Sequence, residues 1–276
     1  MSDLSRWRQF WEGKSKGNVP DFEVDRLRST RGQEMENLYE QELVNFTQAE
    51  RFEILLDAGC GTGVNILRLY SRVRKIIGID YAFGSLQRCQ KRIQAQKITN
   101  AYLCLGSVTT IPLPDCSVDR VLCLSVLQYL DDEEARLALR EAVRVLTPGG
   151  MIILHVKNSS SLYWSTLRLA KQLKACLGGS TRIEYLRPFR WYVDELTSLN
   201  CDILDYNSLN LLVLEGMPKR VLSVLQRFEL RYHDSPLFRS PFIRRHGAEL
   251  KIKARLVAGP LEPERSETKT VARLSR

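Results

Sequence analysis

Apolar residues in the first part of the chain form short runs that alternate with longer segments of helical spacing. The short runs predict five buried strands, at 53–57, 75–80, 101–105, 119–124 and 151–156. The segments between them place apolar residues three and four apart and predict helices, over 62–71, 84–95 and 131–146. Strands that alternate with helices are typical of a parallel sheet covered on both faces. The pattern therefore predicts a doubly wound α/β domain.

The rest of the chain predicts additions around this domain. Beyond residue 157 we expect helices over 160–177, 192–199 and 219–230, and two more strands at 202–206 and 249–257. The resulting organisation is an N-terminal cap over 1–48, a main domain over 49–258 and a disordered tail over 259–276. Cap insertions are expected at about 158–192 and 209–248. A hydrophobic fraction of 44% is enough for a sizeable core.

The most informative segment follows the first strand and reads Asp57-Ala58-Gly59-Cys60-Gly61-Thr62-Gly63. Its three glycines let the backbone turn sharply and approach a ligand, because no Cβ stands in the way. In open α/β sheets, ligands bind beyond the carboxyl ends of the strands. The segment therefore predicts a nucleotide-type cofactor site.

A second acid, Asp80, ends the next strand, where a carboxylate can accept hydrogen bonds from both hydroxyls of a ribose. The glycines fall as Gly-x-Gly-x-Gly, whereas a dinucleotide fingerprint requires Gly-x-Gly-x-x-Gly. An NAD enzyme remains the main alternative among Rossmann-like proteins.

The glycine segment, followed by Gly78-Ile79-Asp80, closely resembles the class I S-adenosylmethionine (SAM)-dependent methyltransferases. Two more landmarks come in the family's order, Ile111–Asp119 before the fourth strand and Leu146-Thr147-Pro148-Gly149-Gly150 before the fifth. The resemblance covers roughly residues 50–160 and favours the small-molecule branch of ubiquinone and menaquinone type. It implies a Rossmann-like, seven-stranded sheet with helices on both faces and added cap segments.

The resemblance also implies which residues contact SAM. These are Asp57, Gly59, Cys60, Gly61, Gly63, Asp80, Tyr81, Ser107 and Leu124. Ser107 departs from the family, in which many members carry an Asp after the preceding glycine to bind the adenine amino group. A serine hydroxyl can still make one such hydrogen bond.

Methyl transfer needs a base only when the acceptor must lose a proton. His155 is the candidate base because it ends the fifth strand, where the site opens, and because imidazole titrates near neutral pH. The alternative is a histidine that simply makes hydrogen bonds at a strand end. The seven cysteines form no Cys-x-x-Cys pairs with histidine partners, so we expect no metal site.

Charge and cysteine content bear on location and partners. Residues 216–276 carry 14 Lys and Arg against 6 Asp and Glu, a net +8 of the chain's +9. Basic and aromatic residues interleave there, at 227–232 and 238–246, as on a surface that meets anionic lipid. Scattered cysteines, and the lack of a signal peptide or an 18-residue apolar run, predict a cytoplasmic protein with peripheral membrane contact.

Two functions from different classes remain open. The favoured one is methyl transfer to a hydroxyl or activated carbon of a small metabolite, sugar or lipid-like precursor. The other is methylation of RNA or protein through the basic C-terminal region. Nucleic acid is the less favoured partner, because no Asn-Pro-Pro-Tyr type motif follows the fourth strand, which reads Leu124-Ser125-Val126-Leu127. A third reading, a SAM-binding protein without catalysis, is disfavoured by the intact glycine turn.

Overall fold

A computed structural model describes residues 3–17, 41, 44–50, 53–161, 163–165, 184–209, 218–232, 235–236 and 240–257. Its seven strands are β1 Ile54–Ala58, β2 Lys75–Asp80, β3 Ala101–Leu105, β4 Val118–Leu124, β5 Leu146–Lys157, β6 Cys201–Leu209 and β7 Glu249–Leu256. Its α-helices of at least six residues are α1 Asp3–Lys16, α2 Val64–Leu69, α3 Phe83–Ala95, α4 Asp132–Val145, α5 Phe189–Ser198 and α6 Lys219–Tyr232.

The strands form one mixed sheet in the order β3-β2-β1-β4-β5-β7-β6. The first five strands pair in parallel, and β7 runs antiparallel to both β5 and β6. The strand order reverses between β1 and β4, so the carboxyl ends of these two strands flank a crevice. In an open α/β sheet this switch point is where a ligand is expected.

Each face of the sheet is covered by its own pair of helices. On one face, Leu56, Val121 and Ile152 pack into a core with α4 and α5. On the other face, residues such as Leu55, Leu122 and Ile153 pack with α2 and α3. Adjacent residues of one strand thus enter opposite cores, which is why these strands read as continuous apolar runs.

The described elements agree closely with those predicted from sequence, and their differences have simple causes. The helix expected over 62–71 is shorter, because Gly63 adopts φ 82° and the chain tightens to a 3₁₀ turn at Tyr70–Arg72. Strand β5 starts earlier than expected because Leu146 already pairs with Val118. The sequence pattern indicated a parallel sheet, and the antiparallel β7 departs from it. Residues 166–177 of the helix expected over 160–177, and the tail expected over 259–276, lie outside the described residues.

Asp131 starts α4 as the sequence suggested, through a reciprocal capping box. Its carboxylate accepts from the Glu134 backbone N–H, and the Glu134 side chain accepts from the Asp131 N–H. This places the helix start at a defined point after β4.

Arg120, in β4, is fully buried and makes several polar contacts near the start of β1. Its guanidinium donates to both carboxylate oxygens of Glu53, one at 2.9 Å, and also to the Thr47 carbonyl oxygen. Glu53 also accepts from the Glu50 N–H at 2.8 Å. These bonds hold Thr47, Glu50 and Glu53 against the sheet just before β1.

We predict that Arg120→Met destabilises the fold by about 3–5 kcal/mol, because it leaves the Glu53 carboxylate buried without its cation. Urea unfolding followed by circular dichroism measures the change. The double variant Arg120→Met/Glu53→Met removes both charges and should recover much of the loss. A double variant as unstable as the single one would show that the ion pair is not the cause.

Candidate functional site

The glycine turn between β1 and α2 has a backbone that suits glycine at each of its three positions. Gly59, Gly61 and Gly63 have φ values of 82°, 53° and 82°. A Cβ at Gly59 would lie 2.4 Å from Val126 Cγ2, and one at Gly63 would lie 2.3 Å from Cys89 Sγ. Both the left-handed backbone and the lack of space therefore require glycine. The turn presents its backbone at the carboxyl edge of β1.

Asp80 connects this turn to the end of β2. Its Oδ2 accepts from the Gly61 N–H at 2.9 Å, and its Oδ1 accepts from the Ala82 N–H at 2.8 Å. Burial raises the pKa of Asp80 above its ordinary value, and these two hydrogen bonds partly offset the rise. Glu12, on α1, raises the Asp80 pKa further through its negative charge. The Tyr81 N–H also lowers the Asp80 pKa, and a carboxylate with three backbone donors keeps acceptor capacity for a ligand hydroxyl.

Asp57 and Cys60 occupy opposite sides of the turn. Asp57 is buried at the end of β1, and its Oδ1 lies 3.4 Å from the Asn65 amide nitrogen, which donates to it. The Cys60 side chain belongs to the core beneath the turn, where a hydrogen bond with Cys89 and burial raise its thiol pKa. Cys60 can therefore meet a cofactor only through its backbone.

A small, mainly apolar pocket lies beside the turn. It is lined by Trp7, Tyr81, Ser107, Val108, Val126, Tyr129 and Leu130. Tyr81 and Ser107, which the sequence predicts to contact the cofactor, thus both line this pocket. The Ser107 hydroxyl already lies 2.8 Å from the Thr109 hydroxyl and accepts from the Thr109 N–H. Burial raises the pKa of the Tyr81 and Tyr129 phenols, so both stay protonated at neutral pH.

Helix α1 covers one side of this pocket. Trp7 is buried, and its ring lies 4.6 Å from that of Tyr129. Glu12 accepts from the Gly84 N–H at 3.2 Å, which anchors α1 on the start of α3. Within the expected N-terminal cap, α1 is thus a helix that reaches the site.

His155 lies at the end of β5, beside Leu124 at the end of β4, and belongs to a chain of polar contacts. Its Nδ1 is 3.1 Å from the Ser125 hydroxyl, and its Nε2 is 3.2 Å from Glu249 Oε2. Ser125 is exposed and has φ 60°, whereas the imidazole behind it is only 19% exposed. Three strands therefore contribute to this chain: His155 is on β5, Glu249 begins β7, and Ser125 follows β4.

The sequence reasoning missed several of these neighbours. Ser125 follows a predicted strand end directly, so its position was a usable signal. Glu249 is 94 residues from His155 in the chain, and only the pairing of β5 with β7 brings them together. Val126 was not singled out, although its side chain closes the space beside Gly59.

Among the aromatic side chains of the cap segments and of α5, Trp7 lines the described pocket. Phe189 and Trp191 pack against the main core, and Tyr192 is fully buried within it, because α5 lies on the sheet. Trp164 is held in a separate small cluster by a hydrogen bond to the Ala248 carbonyl oxygen. Tyr39 lies outside the described residues.

The C-terminal basic residues are not one surface. Lys251 and Lys253, on β7, are buried, and burial lowers the pKa of Lys253. Arg244 forms an ion pair with Asp205 of β6. His233 and Arg239 lie outside the described residues. Lys251 and Lys253 therefore add nothing to the basic surface expected around 227–232 and 238–246, because they lie inside the folded protein.

Comparison with known proteins identifies the domain that carries this site. Residues 55–150 match the methyltransferase domain family. The chain is 37% identical over 110 residues to a malonyl-[acyl-carrier protein] O-methyltransferase of Serratia marcescens, a match that covers 40% of each protein. It is 32% identical over 104 residues to a probable SAM-dependent methyltransferase of Mycolicibacterium smegmatis, covering 38% of each. The chain thus spans about two fifths of the length of these relatives.

Solved structures share the fold at low sequence identity. A phosphoethanolamine N-methyltransferase of Haemonchus contortus superposes with a TM-score of 0.67 at 15% identity, covering 96% of this chain and 51% of that one. A geranyl diphosphate C-methyltransferase of Streptomyces coelicolor superposes with a TM-score of 0.60 at 15% identity, covering 93% and 99%.

The fold, the glycine turn and the matched domain all point the same way. A Rossmann-like, seven-stranded sheet with helices on both faces is the architecture that the resemblance implies, and it is confirmed. The NAD alternative has no support, since the matched family and the named relatives are methyltransferases. Residues 55–150 therefore form a methyltransferase domain, and the chain is similar to SAM-dependent methyltransferases.

Proposed function

We propose that the chain binds SAM at the carboxyl edge of β1, β2 and β4 and transfers its methyl group to a small acceptor. The acceptor atom would be a hydroxyl oxygen or an activated carbon of a metabolite, sugar or lipid-like precursor. The observation that carries the proposal is the joint placement of the glycine turn and Asp80, which are linked by the Gly61 N–H. When bound, SAM supplies a methyl group already activated by its sulfonium.

The residues present fit this cofactor. The glycine turn keeps a left-handed backbone at Gly59, Gly61 and Gly63, and no side chain of the turn's glycines stands between that backbone and a ligand. Asp80 would accept hydrogen bonds from the ribose hydroxyls with its remaining lone pairs. Asp57 would place a buried negative charge near a cofactor whose sulfonium and amino group are positive. Tyr81, Ser107 and Leu124 would complete the contacts, with Tyr81 and Ser107 in the pocket wall.

The acceptor class is supported by the character of the pocket residues other than Tyr81 and Ser107, which are assigned to the cofactor. These residues supply aromatic and aliphatic side chains, with Trp7 coming from α1. A small apolar or partly apolar molecule can displace water from such a surface, whereas a charged nucleic acid backbone gains little there. The C-methyltransferase of similar fold acts on geranyl diphosphate, a lipid-like molecule, and this supports the same class here.

The free thiols of Cys60, Cys89, Cys104, Cys116, Cys123 and Cys201 support a reducing, cytoplasmic setting.

We further propose that His155 is the base for acceptors that lose a proton. If Nε2 donates to Glu249, then Nδ1 is the basic nitrogen and faces the Ser125 hydroxyl. The acceptor proton would pass to Nδ1, with the exposed Ser125 hydroxyl between acceptor and ring. Glu249 acts as a positioning residue, since it holds the ring and selects its tautomer.

Methylation of RNA or protein remains the alternative. Incubation of the protein with methyl-labelled SAM and a fractionated cell extract separates the two classes. We expect label in the small-molecule or lipid fraction. Label confined to RNA or protein would contradict the small-acceptor proposal while leaving SAM-dependent methyl transfer intact.

We predict that Asp80→Ala weakens SAM binding by about 1–3 kcal/mol, because the ribose hydrogen bonds are lost. Isothermal calorimetry measures the affinity, and Asp202→Asn, an exposed acid on β6, is the control that should change nothing. Equal affinity for NADH in the unaltered protein would contradict the cofactor assignment.

SAM affinity should also fall as the pH drops through the raised pKa of Asp80. The charged carboxylate is the better acceptor and the favourable partner of a cationic ligand, so its protonation weakens binding. Calorimetry at a series of pH values measures this, and Asp80→Asn should flatten the dependence. A profile unchanged in Asp80→Asn would assign the titration to another group.

We predict that His155→Ala lowers the turnover of a proton-losing acceptor about 10²–10⁴-fold and leaves SAM affinity nearly unchanged. Glu249→Gln should lower kcat by a smaller factor with little change in KM, because the ring remains but is less well oriented. Steady-state kinetics and SAM calorimetry measure both variants. Near-normal turnover in His155→Ala would make the histidine structural.

A further inference from the structure

Helix α6 exposes an apolar stripe along its length. Val221, Val224, Phe228 and Tyr232 follow a spacing of three, four and four residues, so they share one face of the helix. They are 46%, 66%, 46% and 42% exposed, which is unusual for four large apolar side chains in a row. The rings of Phe228 and Tyr232 are in contact, with centroids 4.7 Å apart.

A row of arginines borders this stripe on one side. Arg220, Arg227 and Arg231 are all exposed, and each directly precedes a member of the stripe. Successive helical residues lie about 100° apart around the axis, so the three arginines line the same edge. Among the α6 side chains that the structure describes, the one carboxylate, Glu229, is buried. The exposed surface of α6 therefore combines apolar groups with positive charge alone.

We propose that α6 is an interfacial helix that lies flat on an anionic lipid bilayer. This function is separate from methyl transfer and does not rest on it. The apolar stripe would enter the boundary between headgroups and acyl chains, and the arginines would meet the lipid phosphates. At 14 residues the helix is about 21 Å long. It lies on the membrane rather than across it, and no described helix is long and apolar enough to span a bilayer.

Charge complementarity favours lipid over other partners. If a second copy of α6 covered the stripe, two arginine rows would come together with no exposed carboxylate of the described helix to pair with them. RNA would satisfy the arginines and its bases could stack on Phe228 and Tyr232, but the aliphatic Val221 and Val224 would gain no stacking partner. An anionic bilayer satisfies both the charge and the apolar surface.

Flotation with vesicles tests the proposal on the full chain. The probes are vesicles of phosphatidylcholine alone and vesicles of phosphatidylcholine mixed with phosphatidylglycerol. We expect the protein to float with the mixed vesicles at low salt, and to float less as salt is added. Val224→Asp/Phe228→Asp should reduce the bound fraction at least tenfold.

The arginines are tested separately, with matched controls. The variant Arg220→Gln/Arg227→Gln/Arg231→Gln removes all three charges. We expect each substitution to lower the partition coefficient of the protein for anionic vesicles about fivefold. The controls are Leu137→Asp, at an exposed leucine of α4, and Arg72→Gln/Arg74→Gln/Arg140→Gln, at exposed arginines elsewhere. Both controls should bind like the unaltered protein. Circular dichroism and SAM calorimetry on every variant establish that folding and the cofactor site are intact.

Four results would overturn the proposal. The first is a failure of the unaltered protein to float with anionic vesicles, and the second is flotation that survives Val224→Asp/Phe228→Asp. The third is a dimer in light scattering that this variant dissociates, which would assign the stripe to a second copy. The fourth is RNA binding that depends on the arginines while anionic vesicles fail to compete, which would assign the surface to nucleic acid.

Discussion

The site depends on one carboxylate, that of Asp80. Its two oxygens hold the Gly61 N–H on the turn after β1 and the Ala82 N–H at the start of α3. Two neighbouring strands thus end at a common point, and the glycine turn keeps its left-handed backbone there. The raised pKa of Asp80 reflects the burial that this position requires. The same group that shapes the turn is the one proposed to bind the ribose, so structure and recognition are coupled.

Around this point the protein separates apolar from polar surface. The pocket beside the turn is lined mainly by rings and aliphatic groups, including Trp7 from α1. The Ser125–His155–Glu249 contacts lie at the ends of β4 and β5 and the start of β7, on the neighbouring part of the sheet edge. An apolar wall beside a polar chain suits a reaction in which a small acceptor is first desolvated and then loses a proton. The mixed sheet makes this possible, because the antiparallel β7 places its first residue at the edge where β5 ends.

Two buried basic residues of the sheet contact partners inside the protein. Arg120 is neutralised by Glu53 inside the sheet, and Lys253 donates to Gln48 beneath the Phe46 ring. Positive charge also lies on the surface of α6, where Arg220, Arg227 and Arg231 are exposed. The net charge of the sequence therefore counts the buried lysines of β7 as if they were on the surface. It also does not show that the arginines of α6 form a row.

The sequence by itself determined the local elements and the cofactor turn. Apolar periodicity predicted β2 and β3 at their observed bounds, and the glycine spacing with Asp57 and Asp80 predicted the turn, because these signals are short-range. Contacts between distant segments were decided only by the tertiary structure. The sequence could not show that Glu249 meets His155, that Trp7 closes the pocket, or that Lys251 is buried while Arg227 is exposed. Each of these depends on strand order and helix docking, which arise from the packing of the whole chain and leave no periodic trace in any one segment.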